Sequence, residues 1–496
     1  MIRLGVAILA LVTYLSLPTR NYYWDGVSFA QTIEDAVSWP SLLHPNHLIY
    51  NMIGWVSYKL SPGTFRALNV LQVLDSVFAA LAVWSIFGIL KSTLRSVRSA
   101  LLLTLLFAAA GTWWRFATDA DAYIASTTLL TVCASVLTKE GDRHLTLAAV
   151  LHAAAMLVHQ LAILFLPAAL FAVWHQGEKE SFAKKLSGAL RYLATTGLLT
   201  LITYLLGFTA LSGLHDLRAF LSWATSHAED SAFSFSLGRN LIVSARSWLQ
   251  LFLVGRPSLV HYREPTTILL LLLCSAALAL FLFTFRRQLP IRVRIWNPKL
   301  FRFSLLWLTA YAGFLLFWLP NNTFYKLFAL PAVVLLIASC WPPDRPAEET
   351  KPAMALVVAM ALFNFTFAIV PYSRVTANEA VAFAMDLRRE ALMSGDVVYF
   401  SNFNTDNWLL RYFNPNTIWK RVESTPAIDA DLLGGNRVWL ETTAIDRLSS
   451  TTPEWFSGRG MNVDRHELVN AHHRIRLVRL TLPRPLDGID ARSRSK

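Results

Sequence analysis

Charge is scarce in this 496-residue chain: Asp, Glu, Lys and Arg make up 16% of it, against 54% hydrophobic residues. That is too apolar for a soluble globular chain, and the excess is spread over many segments rather than gathered in one anchor. Cysteine is scarcer still. The three residues, Cys133, Cys274 and Cys340, each lie inside an apolar run, so neither a disulfide framework nor a zinc site fits, and they read as packing residues. Walker and GxGxxG loops, a nucleophile elbow and internal repeats are all missing, which leaves nucleotide-driven chemistry without support. No small-x-small cleavage site follows the opening stretch Leu4–Leu17; Pro18-Thr19-Arg20 does, so the stretch is kept as a first membrane span. Acidic residues are outnumbered, 32 against 45 Lys and Arg. The basic surplus clusters between apolar segments, where it acts as topology signal and headgroup contact and implies no nucleic-acid partner.

Long hydrophobic runs are what the chain has in plenty. Stretches of spanning length, roughly twenty residues, lie near 3–18, 67–90, 99–116, 122–138, 144–158, 160–174, 190–211, 266–285, 303–319, 324–341 and 353–371. The fold class expected is therefore a polytopic α-helical membrane protein with about eleven transmembrane helices. Residues 27–39 and 46–60 are apolar but too short or interrupted to cross, and read as two interfacial helices. With the N-terminus inside, the inner loops carry Lys91/Arg95/Arg98, Lys139/Arg143, Lys179/Lys184/Lys185 and Arg286/Arg287/Arg292/Arg294/Lys299/Arg302, as the positive-inside rule requires. Making 46–60 a true span would invert every later loop.

That topology collects the polar residues on the outer face: Asp25, His44, His47, Asp119, Asp121, His159, Gln160, Asn321, Asn322, Lys326, a first external loop 19–65 and a long external loop 212–265. None of them entered the topology fit. The composition changes after Pro371, dividing the chain into a membrane domain, 1–375, and an external domain, 376–496. Strand-like runs at Asp396–Phe400, Thr417–Trp419, Arg437–Leu440 and Arg474–Leu480, with helical segments at Asn378–Met393 and Asp406–Phe413, predict a small C-terminal α/β domain. Its polar end, Asp490–Lys496, reads as disordered.

The chemistry concentrates in the first external loop, Asn21-Tyr22-Tyr23-Trp24-Asp25-Gly26-Val27-Ser28-Phe29, and in His44-Pro45-Asn46-His47 after it. An aspartate among aromatics at a membrane surface suits a general base that takes the proton of an acceptor hydroxyl; its bland alternative is a cap for a helix starting near Gly26. Asp119 and Asp121, at i and i+2, do not share a helix face. One of them, with Asp121 favoured, would be a second acidic or metal-linked residue, while the other would mark a helix start. His44 and His47 suit donor phosphate, or a divalent cation held with carboxylates. His159 and Gln160 interrupt an apolar stretch, so they either face a cavity and contact substrate or end a helix as satisfied buried groups. Lys326 opens a span and can reach a lipid phosphate or snorkel to headgroups. In 212–265, His215, Arg218, His227, Glu229, Asp230, Arg239, Arg246, Arg256, His261 and Arg263 form a basic stretch suited to lipid phosphates.

The order of these motifs, from Asp25 through the His-Pro cluster, Arg66-Ala-Leu-Asn69, Trp113–Tyr123 and His159-Gln160, resembles the membrane GT-C glycosyltransferases, in particular the bacterial and eukaryotic group related to protein O-mannosyltransferases. The resemblance spans roughly residues 1–175 by motif and the rest by hydropathy. It implies inverting transfer of a sugar, hexosyl or pentosyl, from a polyprenyl-phosphate donor to a saccharide, lipid or protein acceptor at the outer face. Asp25 would be the base, and in some members a divalent cation, Mg2+ or Mn2+, would sit at Asp25 and Asp121. The chain departs from the family pattern in having Gly26-Val27-Ser28 after the first aspartate, His44-Pro45-Asn46 for His-Pro-Pro, and Asp121 for glutamate before x-Tyr. A bacterial inner membrane is expected, with the site and C-terminus facing the periplasm or exterior. The rival class is a transporter or flippase of lipid-linked saccharides, which would put polar residues near mid-membrane in two related halves.

Overall fold

In this computed structural model the structure describes residues 1–139, 144–175, 181–213, 216–229, 233–260, 262–285, 294–343, 347–457 and 464–481. Arg143, Lys179, Arg286, Arg287 and Arg292 of the expected inner loops, His215, Asp230 and His261 of the long outer loop, and the polar end 490–496 lie outside the described residues. The chain forms two compact units, Met1–Ser373 and Arg374–Lys496.

The first unit is helical. Its early elements are α1 (Ile2–Ser16), α2 (Trp24–Asp35), α3 (Tyr50–Leu60), α4 (Ala67–Leu94), α5 (Val97–Ala108), α6 (Gly111–Ala117), α7 (Ala122–Leu137), α8 (Leu145–Val158), α9 (Leu166–Trp174), α10 (Phe182–Ser212), α11 (Leu217–Glu229) and α12 (Leu237–Phe252). By length and composition five helices among the described residues can cross a membrane: α4, α10, Pro265–Phe285, Pro298–Phe317 and Thr350–Tyr372. The pair α5 and α6, bent by 68°, makes a sixth if counted as one span. Ile2–Ser16, Ala122–Leu137, Leu145–Val158, Gln160–Trp174 and Phe324–Ser339 are apolar but shorter. Every stretch picked out by hydropathy falls on a helix. The short ones are short because local chemistry breaks the ladder: His159 leaves helical geometry after α8, and a 3-10 turn, Gln160–Phe165, separates it from α9.

The bend between α5 and α6 frees backbone groups in an apolar setting, where each must find a partner. Asn364 supplies one for Ala109 O, donating at 2.9 Å, and ties the bend to the end of α12 by donating to Phe252 O at 2.7 Å and accepting from Val254 N at 3.0 Å. The core around α4, α7 and α8 is rich in small residues, which let membrane helices approach closely. Ala79, Ala82, Ala134, Ala148 and Ala149 are buried there. Hydroxyls stitch it across helices, Ser126 Oγ to Ala155 O at 2.8 Å and Thr128 Oγ1 to Phe78 O at 2.9 Å. The two segments read as interfacial are the helices α2 and α3.

The second unit is an α/β domain around a five-stranded sheet of order β2-β1-β3-β5-β4, with β1 (Val397–Phe400), β2 (Ile418–Arg421), β3 (Val438–Glu441), β4 (Arg465–Val469) and β5 (Arg474–Arg479). β1 pairs parallel with both β2 and β3, with Val397 opposite Ile418 and Val438, and β3 and β4 pair antiparallel with β5. Val397, Tyr399, Val438 and Leu440 build its core with Ile428, Ala444 and Leu448. The sequence reading reaches β1, β2, β3 and β5 but not β4, whose Arg-His-Glu-Leu-Val is hidden by its charge and is stabilised by pairing along β5.

Candidate active site

The helix α2 begins at Trp24 with Tyr23 as its N-cap, so Asp25 sits inside the first turn and is not the cap. Its carboxylate stays near the favourable end of the helix dipole, and Oδ2 accepts a hydrogen bond from Tyr123 OH at 3.2 Å. Gly26 makes this approach possible. A Cβ there would lie 2.3 Å from Ala120 O, so only glycine lets α2 press against the loop that carries the other two aspartates.

That loop joins α6 to α7, and its two carboxylates do different work. Asp119 is spent on the backbone: Oδ2 accepts from Tyr23 N and Oδ1 from Ala120 N, both at 2.9 Å. It ties the start of α2 to the loop. Asp121 is the N-cap residue of α7 but makes no side-chain cap bond. It is completely buried, and neither carboxylate oxygen has a hydrogen-bond partner among the described residues. Burial pushes the Asp25 carboxyl up to about 7, helped by the charge of Asp119 and opposed by the Tyr123 hydroxyl. Burial likewise lifts Asp119 to about 6 against the backbone N–H groups and Arg115. Asp121 rises well above the usual carboxylate range, first through burial and then through Asp25, Asp119 and Asp75. Asp25 and Asp119, raised this far, are poised to exchange a proton near neutral pH.

Tyr123 is the hinge between this acidic patch and the histidines. Its ring stacks on Phe324 with centroids 4.9 Å apart and meets Tyr325 at 5.4 Å and His159 at 5.1 Å. His159 in turn meets His47 edge-on at 4.7 Å, and His47 stacks with His44 at 5.5 Å. Each position has a backbone reason. His159 Nδ1 accepts from Leu161 N at 3.1 Å, capping the 3-10 turn, while its buried Nε2 is without a partner among the described residues. His47 Nδ1 lies 3.3 Å from Val158 O. Gln160 donates to Pro45 O at 3.0 Å and Ala224 O at 2.9 Å, and Tyr204 OH donates to Pro45 O at 2.7 Å, so the His-Pro turn is pinned from α10, α11 and the helix break.

The fold thus brings Asp25, Asp121, Asp119, His44, His47 and His159 into one connected cluster, with Gln160 holding its frame. Lys326 stands apart. Its ammonium is buried and donates to Ser247 Oγ at 2.5 Å, Pro320 O at 2.9 Å and Asn322 O at 3.0 Å. It clamps the loop 319–323. Among the described residues no ion pair joins Arg218, Arg239, Arg246, Arg256 or Arg263 to the acidic cluster. No group of three or more His, Cys, Asp or Glu among the described residues is arranged to hold a metal ion. Glu34 and Arg66 form a bidentate pair with contacts of 2.6 to 2.9 Å; Glu34 also accepts from Ala67 N at 2.8 Å, capping α4 and fastening α2 to it.

Residues 44–207 match the family described as dolichyl-phosphate-mannose-protein mannosyltransferase. The match opens at His44 and takes in Asp119, Asp121, Tyr123, His159 and Gln160, with Asp25 upstream of it. No protein of curated function matches the sequence. In fold the chain is similar to ArnT from Cupriavidus metallidurans bound to undecaprenyl phosphate, with a TM-score of 0.58 and 11% identity over 96% of this chain and 97% of that one. The apo state of the same protein superposes with a TM-score of 0.43 and 12% identity over 96% and 97%. At this identity the likeness is one of fold alone. The resemblance carried by the sequence motifs is present in both comparisons.

Proposed function

We propose that this chain is a multi-pass membrane glycosyltransferase of GT-C type that moves a sugar from a polyprenyl-phosphate donor to an acceptor hydroxyl. The observation that carries the reading is the patch of Asp25 and Asp121 on Tyr123, in a helical unit of GT-C fold. Asp25 takes the proton of the acceptor hydroxyl as its oxygen attacks the anomeric carbon. The new C–O bond forms as the bond to the phosphate oxygen breaks. The electron pair leaves with the polyprenyl phosphate, a weak base needing no strong general acid. One displacement of this kind inverts the anomeric centre. His44 and His159 would donate hydrogen bonds to the departing phosphate, while His47, with Nδ1 3.3 Å from Val158 O and Nε2 3.2 Å from Asn46 Nδ2, would hold the two rings in register between Tyr123 and His44. A divalent cation would find carboxylate oxygens at Asp25 and Asp121, the latter without protein donors, and would supply charge for the leaving group. The acceptor is a saccharide, lipid or protein, and the site faces the periplasm or exterior of a bacterial inner membrane.

The test is transfer of radiolabelled sugar by purified full-length protein from a panel of polyprenyl-phosphate donors, with and without chelator. Label appearing in acceptor supports the reading, and loss with chelator assigns the cation. Protein that transfers from no donor but carries a lipid-linked saccharide across liposomes would make it a transporter instead.

The reading also fixes a pH dependence. A carboxyl raised to about 7 is protonated below that pH and cannot act as base, so kcat/KM is expected to fall about tenfold per pH unit on the acid side of its pKa. A profile flat from pH 7 to pH 5 would exclude Asp25 as the base.

A further inference from the structure

Gln72, Asp75 and Ser76 lie at i, i+3 and i+4 on α4, one face of a helix otherwise built mainly of Leu, Val, Ala and Phe, and all three are buried. A carboxylate in such a helix is expensive and calls for a partner or a task. All three side chains hold the segments that deliver the acidic patch. Gln72 Nε2 donates to Thr19 O and Thr118 O, both at 2.9 Å, and Ser76 Oγ donates to Ala117 O at 2.9 Å. Asp75 Oδ2 accepts from Asp121 N at 2.5 Å and from Tyr50 OH at 3.1 Å. Tyr50 opens α3, directly after the His-Pro segment.

Asp121 makes the consequence sharp. Its carboxylate has no hydrogen-bond partner among the described residues, so its aim is set by its main chain, and the main-chain N–H is in the grip of Asp75. We propose that Asp75 is the positioning residue of the site. Through one carboxylate oxygen it joins the His-Pro side, via Tyr50, to the acidic loop, and it orients Asp121 toward Asp25 without touching substrate. Gln72 and Ser76 hold the same loop on either side. The inference rests on the glycosyltransferase reading above.

In the donor-transfer assay on full-length protein, Asp75→Ala is expected to lower kcat roughly 100-fold, the cost of a misplacement of about 1 Å, with KM for the lipid-linked donor within about threefold of wild type. Asp75→Asn keeps an oxygen able to accept both hydrogen bonds and is expected to recover kcat to within about tenfold of wild type. An Asn variant as inactive as Ala would overturn the proposal, because the charge itself would then be required. A wild-type kcat in the Ala variant, or a loss confined to KM, would overturn it too. Should Asp75→Ala fail to assemble, Tyr50→Phe removes a single hydroxyl from the same oxygen. A fall in kcat of roughly threefold or more with KM held supports the proposal, and an unchanged kcat defeats it. Wild-type protein inactive with every donor would sink the glycosyltransferase reading, and this inference with it.

Discussion

Asp25→Asn is expected to abolish transfer for practical purposes, lowering kcat roughly a thousandfold, within the range that a positioned general base contributes. The substitution is nearly isosteric. The amide oxygen can still accept the Tyr123 hydroxyl now 3.2 Å from Oδ2, so α2 and its seat on the acidic loop are retained. What is lost is the lone pair able to take a proton. Donor binding, followed by co-purification of labelled polyprenyl-phosphate sugar with the variant, should stay within about threefold of wild type, because a group that acts in the transition state need not hold the ground state. If Asp25→Asn transfers at a tenth of the wild-type rate or better, the base is another group, and Asp121 becomes the first to examine.

Gly26→Ala is expected to be nearly as damaging by a purely steric route. The new Cβ would meet Ala120 O at 2.3 Å and Ala120 Cβ at 3.1 Å. The obstacle is a main-chain carbonyl in a loop fastened by Asp119, Gln72 and Asp75, so no side chain can swing aside. Either α2 retreats or the loop distorts. Overpacking of this kind costs about 1–3 kcal/mol, and a shift of about 1 Å between Asp25 and Asp121 would lower kcat roughly 100-fold. Gly5→Ala is the control, since nothing lies within 4 Å of a Cβ at that position. The measurement pairs kcat with thermal unfolding in detergent. Wild-type turnover in Gly26→Ala would mean that the close approach of α2 is not what assembles the site.

Much of the architecture follows from residue-level rules acting over short stretches. Runs of apolar residues must leave water, so every span of the sequence reading lies on a helix. Continuous apolar runs at Val397–Phe400 and Val438–Leu440, buried at every position, seek a sheet covered on both faces, and they form neighbouring strands inside it. The topology expected from the sequence put Asp25, Asp121, His44, His47 and His159 on one face, and the fold brings these side chains into one cluster. Gln72, Asp75 and Ser76 escaped the same reading. Hydropathy is an average over roughly twenty residues, and three short polar side chains among many apolar ones leave that average intact; their i, i+3, i+4 spacing was the signal. For Lys326 the structure adds partners that no local pattern shows. A cation at the mouth of a span suggests phosphate or headgroup, yet three oxygens from Ser247, Pro320 and Asn322 enclose it.

By itself, then, the sequence determined where the helices run and that the last part of the chain forms an α/β unit, because each depends on local patterning of apolar and polar groups. Only the tertiary structure decided which of Asp119 and Asp121 is spent on backbone hydrogen bonds and which has no partner among the described residues. It alone also showed that Gly26 is a contact rather than a turn, and that α4 holds the acidic loop. These depend on hydrogen-bond partners 46 to 96 residues away along the chain, a separation that no local pattern encodes.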